Sequence, residues 1–480
     1  MQYRLRFILF LCVGLLFSSI CIFYPGSFGE FVLLWGVFLL VSGYLLLQKR
    51  INFFEPFYLF SVYYLTFIVS AMTLRFSGFE NNMFISGAVF YNDIEDVFFW
   101  CVVYVSVGYL FALIGYRLFA TNRIVAIGWV TASKYRRLLK CVAYVLFFAG
   151  MANFVYNVVT LYSGSLIDYY KNISMRFYDF KDGGTTLGYH LIYIAVYILF
   201  LIDLDRKKVS LITYVLVFAA VAVFASQGRI FQTLTFIMSF VVLYYYNMGG
   251  VRLNRKILFF GCGVILLGVI FYLLRFASSL SYNQGLAGSG GLISFLLESF
   301  TVDKFLELSV GMGNFPNFAV LMKVVDSWSR DIGYMWGLTL LYPLVDFMPS
   351  AFDSAVGMPA VLAKNQWYEH IAGGNLPVTG VGEMYLNFGF LGPVVGMFLF
   401  GCLGACIYNL AVRRGGNIFL IFYAKFAVGF FMLYPKGEFN NFGLLWMAIH
   451  PFLIFLLIKF LDRLQAWLGG RSVIRANAIQ

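Results

Sequence analysis

Val-Phe-Phe-Trp-Cys-Val-Val-Tyr-Val-Ser-Val-Gly-Tyr-Leu-Phe-Ala-Leu-Ile-Gly-Tyr, residues 97–116, runs without a charged side chain. A helix of about 20 apolar residues covers the roughly 30 Å hydrocarbon core of a bilayer, so this stretch reads as a membrane span. Stretches 7–24, 31–47, 56–74, 141–162, 186–202, 210–225, 230–246, 257–275, 391–411, 418–434 and 442–461 read the same way. Composition agrees: a chain of 480 residues with 61% hydrophobic and 12% charged residues cannot cover itself with a soluble surface. The expected fold is all-α, a polytopic integral membrane protein of about twelve transmembrane helices forming a single transmembrane domain over residues 1–480. Arg4 and Arg6 precede the first stretch as in a signal peptide. No small-x-small cleavage pattern follows, and it reads as a retained first span.

Basic residues set the orientation. With the N-terminus inside, twenty-two of the 34 lysines and arginines fall on cytoplasmic segments, among them Arg136, Arg137, Lys140, Arg206, Lys207 and Lys208. Both termini are then cytoplasmic, and the expected location is a bacterial inner membrane. A net charge of +12 finds its partner in anionic lipid of the bilayer, without nucleic acid. The longest outer segment, 277–390, becomes a large periplasmic loop. Within it Leu292–Val310 alternates apolar runs with Glu298, Asp303, Lys304 and Glu307, as an interfacial helix would. Met335–Met348, broken by Pro343, is too short to span and reads as re-entrant or surface-lying. Trp328, Tyr334, Trp336, Trp367 and Tyr368 stud this loop, a pattern that suits either sugar stacking or a membrane interface.

Seven cysteines all lie in expected spans and read as small core hydrophobes. His190, His370 and His450 are far apart in sequence and have no partner at ligand spacing, so no metal site and no cofactor is expected. Asp203-Leu204-Asp205, followed by Arg206-Lys207-Lys208, reads as a solvated turn. The outer cations are few. Arg229 stands in the tight turn Ser226-Gln227-Gly228-Arg229, Arg275 ends a span, Arg176 precedes another, and Lys436 lies in Pro435-Lys436-Gly437-Glu438. Charge at the membrane edge is costly, which makes each a candidate for function.

The end of the long loop, residues 371–392, is Ile-Ala-Gly-Gly-Asn-Leu-Pro-Val-Thr-Gly-Val-Gly-Glu-Met-Tyr-Leu-Asn-Phe-Gly-Phe-Leu-Gly. It delivers one carboxylate, Glu383, to the mouth of a span. Gly-Gly-Asn-Leu-Pro followed by Gly-Glu-Met-Tyr-Leu-Asn-Phe-Gly, the Gly228-Arg229 turn, Phe53-Phe54-Glu55-Pro56 and the Arg176 loop together resemble the bacterial O-antigen and oligosaccharide repeat-unit polymerases. The resemblance covers nearly the whole length, with 373–392 the specific match. It implies a type C-like membrane glycosyltransferase, facing the periplasm, that joins undecaprenyl-diphosphate-linked oligosaccharide repeat units. A chain-length regulator and a flippase are the implied partners.

That reaction needs groups to hold a diphosphate, to stabilise its developing charge and to take a proton from an acceptor hydroxyl. Arg229, Arg275 and Arg176 suit the diphosphate through their forked donors, with Lys436 as a helper where many members of the family carry arginine. Glu383 and His370 are the candidate bases, the histidine because it titrates near neutrality. Asn375, Trp367 and Tyr385 are candidates to contact sugars. Two rival readings stay open. An O-antigen ligase shares the donor and the large outer loop but uses lipid A-core as acceptor. A lipid-linked oligosaccharide flippase would show an internal repeat and charges at mid-membrane depth, whereas within these spans Lys425 alone stands out.

Overall fold

A computed structural model describes residues 27–46, 52, 54–79, 85, 88–120, 136–165, 187–206, 208–225, 230–247, 318–345, 359–368, 377–414, 417–432, 434–435, 437, 449–461 and 463–464. Every regular element among them is a helix: α1 (Ser27–Leu46), α2 (Pro56–Ser77), α3 (Ile94–Phe119), α4 (Arg136–Tyr162), α5 (Leu187–Asp205), α6 (Leu211–Ala225) and α7 (Ile230–Asn247). Then come α8 (Phe318–Asp331), α9 (Leu338–Val345), α10 (Pro359–Trp367), α11 (Gly380–Phe388), α12 (Met397–Arg414), α13 (Asn417–Phe426) and α14 (Ile449–Leu461). Widened π-helical turns lead into α12 at Gly392–Gly396 and continue α13 at Ala427–Met432.

Helices α1 to α7 lie on the stretches read as spans between 31 and 246, and α12 to α14 on the last three. The stretches 7–24 and 257–275, and the amphipathic segment Leu292–Val310, lie outside the described residues. Among the described residues, four helices are long and apolar enough to cross a membrane: Ile94–Phe119, Arg136–Leu161, Gly188–Asp205 and Gly392–Ala411. α9 covers part of Met335–Met348, of which residues 346–348 lie outside the described residues.

What these helices turn outward identifies their solvent. Val145, Phe148, Val155 and Val159 on α4, and Leu211, Ile212, Val215 and Phe218 on α6, are all more than half exposed. Leaving one such side chain in water rather than burying it costs about 1.5–3 kcal/mol, and two helices lined with them are at home in hydrocarbon. The protein is an all-α chain with helices of membrane-spanning character.

Two compact units divide the chain. The first takes residues up to Arg123 together with 301–410 and 426–444. Its core is an aromatic pile of Phe57, Phe60 and Tyr64 from α2, Tyr109 and Tyr116 from α3, and Phe400 from α12, with ring centroids 5.0–6.1 Å apart. Ser61 and Tyr109 share a hydrogen bond of 2.9 Å inside it. Helix α3 starts on a capped turn, where the Asp93 side chain accepts from the Glu95 N–H (2.8 Å), and the acidic Glu95 and Asp96 suit the positive end of its dipole. α3 and α12 meet backbone to backbone: a Cβ on Gly401 would collide with the Ala112 carbonyl, and one on Gly115 with the Phe398 carbonyl. Small residues are what let two apolar helices approach so closely.

The second unit takes residues 124–300, 411–425 and 445–480. Its largest interface packs α4 against α5. The Asp203 turn differs from its reading as solvated: Asp203 is buried, because the chain after α5 folds back over it. Its Oδ2 accepts from Thr213 Oγ1 (2.6 Å) and the Ser210 N–H (2.8 Å), and Lys140 Nζ stands 3.6 Å from Oδ1. Arg136 pairs with Asp205 beside it.

Candidate functional site

From residue 377 onward, the described part of the polar, glycine-rich stretch 371–392 forms α11 and the turn after it, in the first unit. Thr379 caps α11, its hydroxyl accepting from the Gly382 N–H (3.1 Å). Gly380 is needed because a Cβ there would stand 2.6 Å from the Tyr434 ring. Four residues into the element comes Glu383, whose backbone N–H bonds the Thr379 carbonyl (2.8 Å) and whose charge sits in the first turn, where the helix dipole favours an anion.

Glu383 is 0% exposed. Thr339 Oγ1 donates to its Oε1 (3.0 Å) and the Tyr434 hydroxyl to its Oε2 (3.1 Å). One turn on, buried Asn387 closes the network. Its Nδ2 donates to Thr339 Oγ1 (2.6 Å) and to the Glu383 carbonyl (2.8 Å), while its Oδ1 accepts from the Gly337 N–H (2.8 Å). The last carbonyls of α11 are satisfied across space, Leu386 by the Met335 N–H and Asn387 by the Trp336 N–H, both at 3.1 Å. That grip holds Trp336 at a φ of 49° with its ring 76% exposed. Tyr334 stands edge to face with it at 6.2 Å. Two rings thus face outward from the element that holds Glu383.

A second polar knot ties α8 to the bend before α3. Asp326 accepts from the Tyr91 N–H (2.9 Å), the Asn92 N–H (3.0 Å), Asn92 Nδ2 (2.8 Å) and Ser327 Oγ (2.6 Å). Burial raises its carboxyl, but the hydrogen bonds from Ser327, Tyr91 and Asn92 outweigh burial and hold it below the usual range. Lys323 Nζ donates to Ser327 Oγ (2.6 Å) and to the Val89 carbonyl, 3.8 Å from Asp326 and over the rings of Phe90, Tyr91 and Trp367 at 5.1–5.5 Å. Burial draws the Lys323 ammonium below its ordinary value.

The residues singled out from sequence are distributed as follows. Glu383 and Tyr385 share α11. The Tyr385 ring is buried 5.2 Å from that of Tyr104, with its hydroxyl donating to the Val325 carbonyl (3.3 Å). Trp367 ends α10, where its indole N–H donates to Asp331 Oδ2 (2.8 Å) and its ring meets that of Trp328 at 5.7 Å. Arg176, Arg229, Arg275, Lys436, His370 and Asn375 lie outside the described residues.

Chemically, the Glu383 cluster can hold a negative charge away from water and receive a proton from either hydroxyl that it orients. No protein-family model, curated protein or solved structure matches the chain. Of the cluster, Asn387 was open to discovery from its i+4 spacing on Glu383. Thr339 and Tyr434 carry no such signal, being 44 and 51 residues away along the chain.

Proposed function

We propose that the protein is a polymerase of lipid-linked oligosaccharides, with about twelve spans and the 277–390 segment on the outer face of a bacterial cytoplasmic membrane. The observation that carries this reading is buried Glu383 in the first turn of α11, the short helix that precedes Gly392–Ala411, an apolar helix long enough to cross a membrane. Exposed Tyr334 and Trp336 beside it are suited to stacking on sugar rings.

In this reaction an acceptor hydroxyl oxygen attacks the anomeric carbon of the donor glycan. The bond from that carbon to the diphosphate breaks, and lipid diphosphate leaves with the electron pair. Arg229, Arg275 and Arg176, with Lys436, neutralise the departing charge. The acceptor proton goes to His370, or to Glu383 by way of the Tyr434 or Thr339 hydroxyl. What supports a relayed over a direct route to Glu383 is that both of its oxygens accept from those hydroxyls.

The test is inactivation in the native host. A polymerase leaves single repeat units attached to the lipid A-core and removes the ladder of longer chains. Loss of every repeat would assign the chain to ligation instead, and an unchanged ladder would overturn both. In the same host, Arg229→Ala is expected to abolish the ladder at unchanged protein level, and Arg229→Lys to rescue poorly because a point charge cannot reproduce the fork.

A further inference from the structure

Lys425, His450 and His190 are scattered along the sequence, the two histidines 260 residues apart, yet in the second unit they form one hydrogen-bonded chain. Lys425 Nζ is 2.6 Å from His450 Nδ1, and His450 Nε2 is 2.9 Å from His190 Nδ1. Lys425 and His450 are 4% and 2% exposed, while His190, in the first turn of the span Gly188–Asp205, is half-buried. The surroundings are aromatic. Tyr193 stacks on His450 at 4.9 Å, Lys425 Nζ stands 4.9 Å from the centre of the Tyr193 ring, and the Tyr197 ring lies 5.7 Å from the ammonium. α6 and α7 add Phe224 and Phe236 against Tyr193. Among the described residues, the titratable side chains seen against the chain are Tyr193 and Tyr197 of α5.

An ionisable group inside an apolar helix is expensive and marks a functional site by default. An ammonium only donates, which fixes the direction of the whole chain: Lys425 donates to His450 Nδ1, so the His450 proton sits on Nε2 and points at His190 Nδ1. The His190 proton is then on its Nε2. We propose that Lys425, His450 and His190 form a proton relay through which the buried ammonium exchanges its proton with the aqueous side.

The step balances without a further reactant. Lys425 gives a proton to His450 Nδ1, His450 Nε2–H passes to His190 Nδ1, and His190 Nε2–H leaves to water. Lys425 becomes a neutral amine and both imidazoles remain neutral in the other tautomer. Reprotonation from water at His190 Nε2 reverses each transfer. The relay stands independently of the glycosyl-transfer reading.

The full-length protein in lipid nanodiscs, with isotope-labelled lysine and histidine side chains, provides the test by NMR across the pH range in which it stays folded. The expected result is one titration step shared by Lys425, His450 and His190. Lys425→Arg keeps a cation that cannot be deprotonated, and should abolish the shared step. Histidine signals that titrate in this variant as in the wild type would overturn the relay and leave a structural cation, as would a Lys425 charge that never changes. Should Lys425→Arg fail to fold, His450→Gln still bridges its two neighbours but cannot carry a proton. It should uncouple Lys425 from His190, and a step that stays shared would overturn the proposal.

Discussion

Glu383 illustrates how much depends on which atoms a buried carboxylate meets. Both of its oxygens accept from hydroxyls, so Glu383→Gln puts an NH2 where one acceptor stood, and the hydroxyl facing it must turn to accept, leaving its own proton without the carboxylate. A buried polar group left unsatisfied costs about 1–3 kcal/mol, and the variant should melt at lower temperature by a corresponding amount. Its folded fraction should also fail to extend chains; normal extension per folded molecule would leave Glu383 a scaffold residue and turn attention to His370. Asp326 makes a prediction in pH. Its carboxyl is held below the ordinary value in the folded state, so its stabilising contribution is complete above about pH 4 and is lost as pH falls through the folded value. Asp326→Asn should therefore be less stable than the wild type at neutral pH, with a flatter acid limb in thermal melts between neutrality and the acid transition. A variant with an unchanged acid limb would show that other carboxylates govern it.

At the scale of helices, the α3 and α12 crossing has no room for a side chain. Gly401→Leu should abolish folded protein, whereas Leu399→Ala, on the exposed side of the same helix, should leave melting nearly unchanged; equal behaviour of the two in detergent melts would mean that the crossing is not what holds these helices. The positions of α1 to α7 were legible because twenty-residue apolar runs are a signal carried by every residue in them. The widened turn at Gly392–Gly396 was not legible, since a π-helical turn is set by local packing rather than by periodicity. Aromatic residues of the loop looked alike in sequence, yet Trp328 and Tyr368 are buried while Tyr334 and Trp336 face outward. The hydrophobicity of a side chain cannot distinguish these fates; only the partners across space do. Asp203 makes the same point, having basic neighbours along the chain that suggested solvent and hydroxyl partners in space that exclude it. His190 and His450 met for a similar reason, because spacing rules find ligands on one element and not on helices brought together from distant parts of the sequence.

For the whole molecule, the proposed orientation sets a labelling pattern. In a cysteine-free background, single cysteines at Ser289 and Ser354 should react with an impermeant thiol reagent added to intact cells, and one at Ser472 should not. Labelling at Ser472, or protection of both loop positions, would invert the arrangement. The first unit is assembled from three separated stretches of chain, and the knot at Asp326 fastens a bend at Tyr91 that lies 235 residues earlier. At synthesis rates of about 5–20 residues per second, the bend waits on the order of tens of seconds for the helix that secures it. The early spans must therefore enter the bilayer and remain there unfastened while the second unit is still being made, which makes biogenesis depend on the lipid and the insertion machinery holding an open half-structure. A nascent chain halted before residue 326 should accordingly expose the Tyr91 bend to protease, and release of the stall should restore its protection.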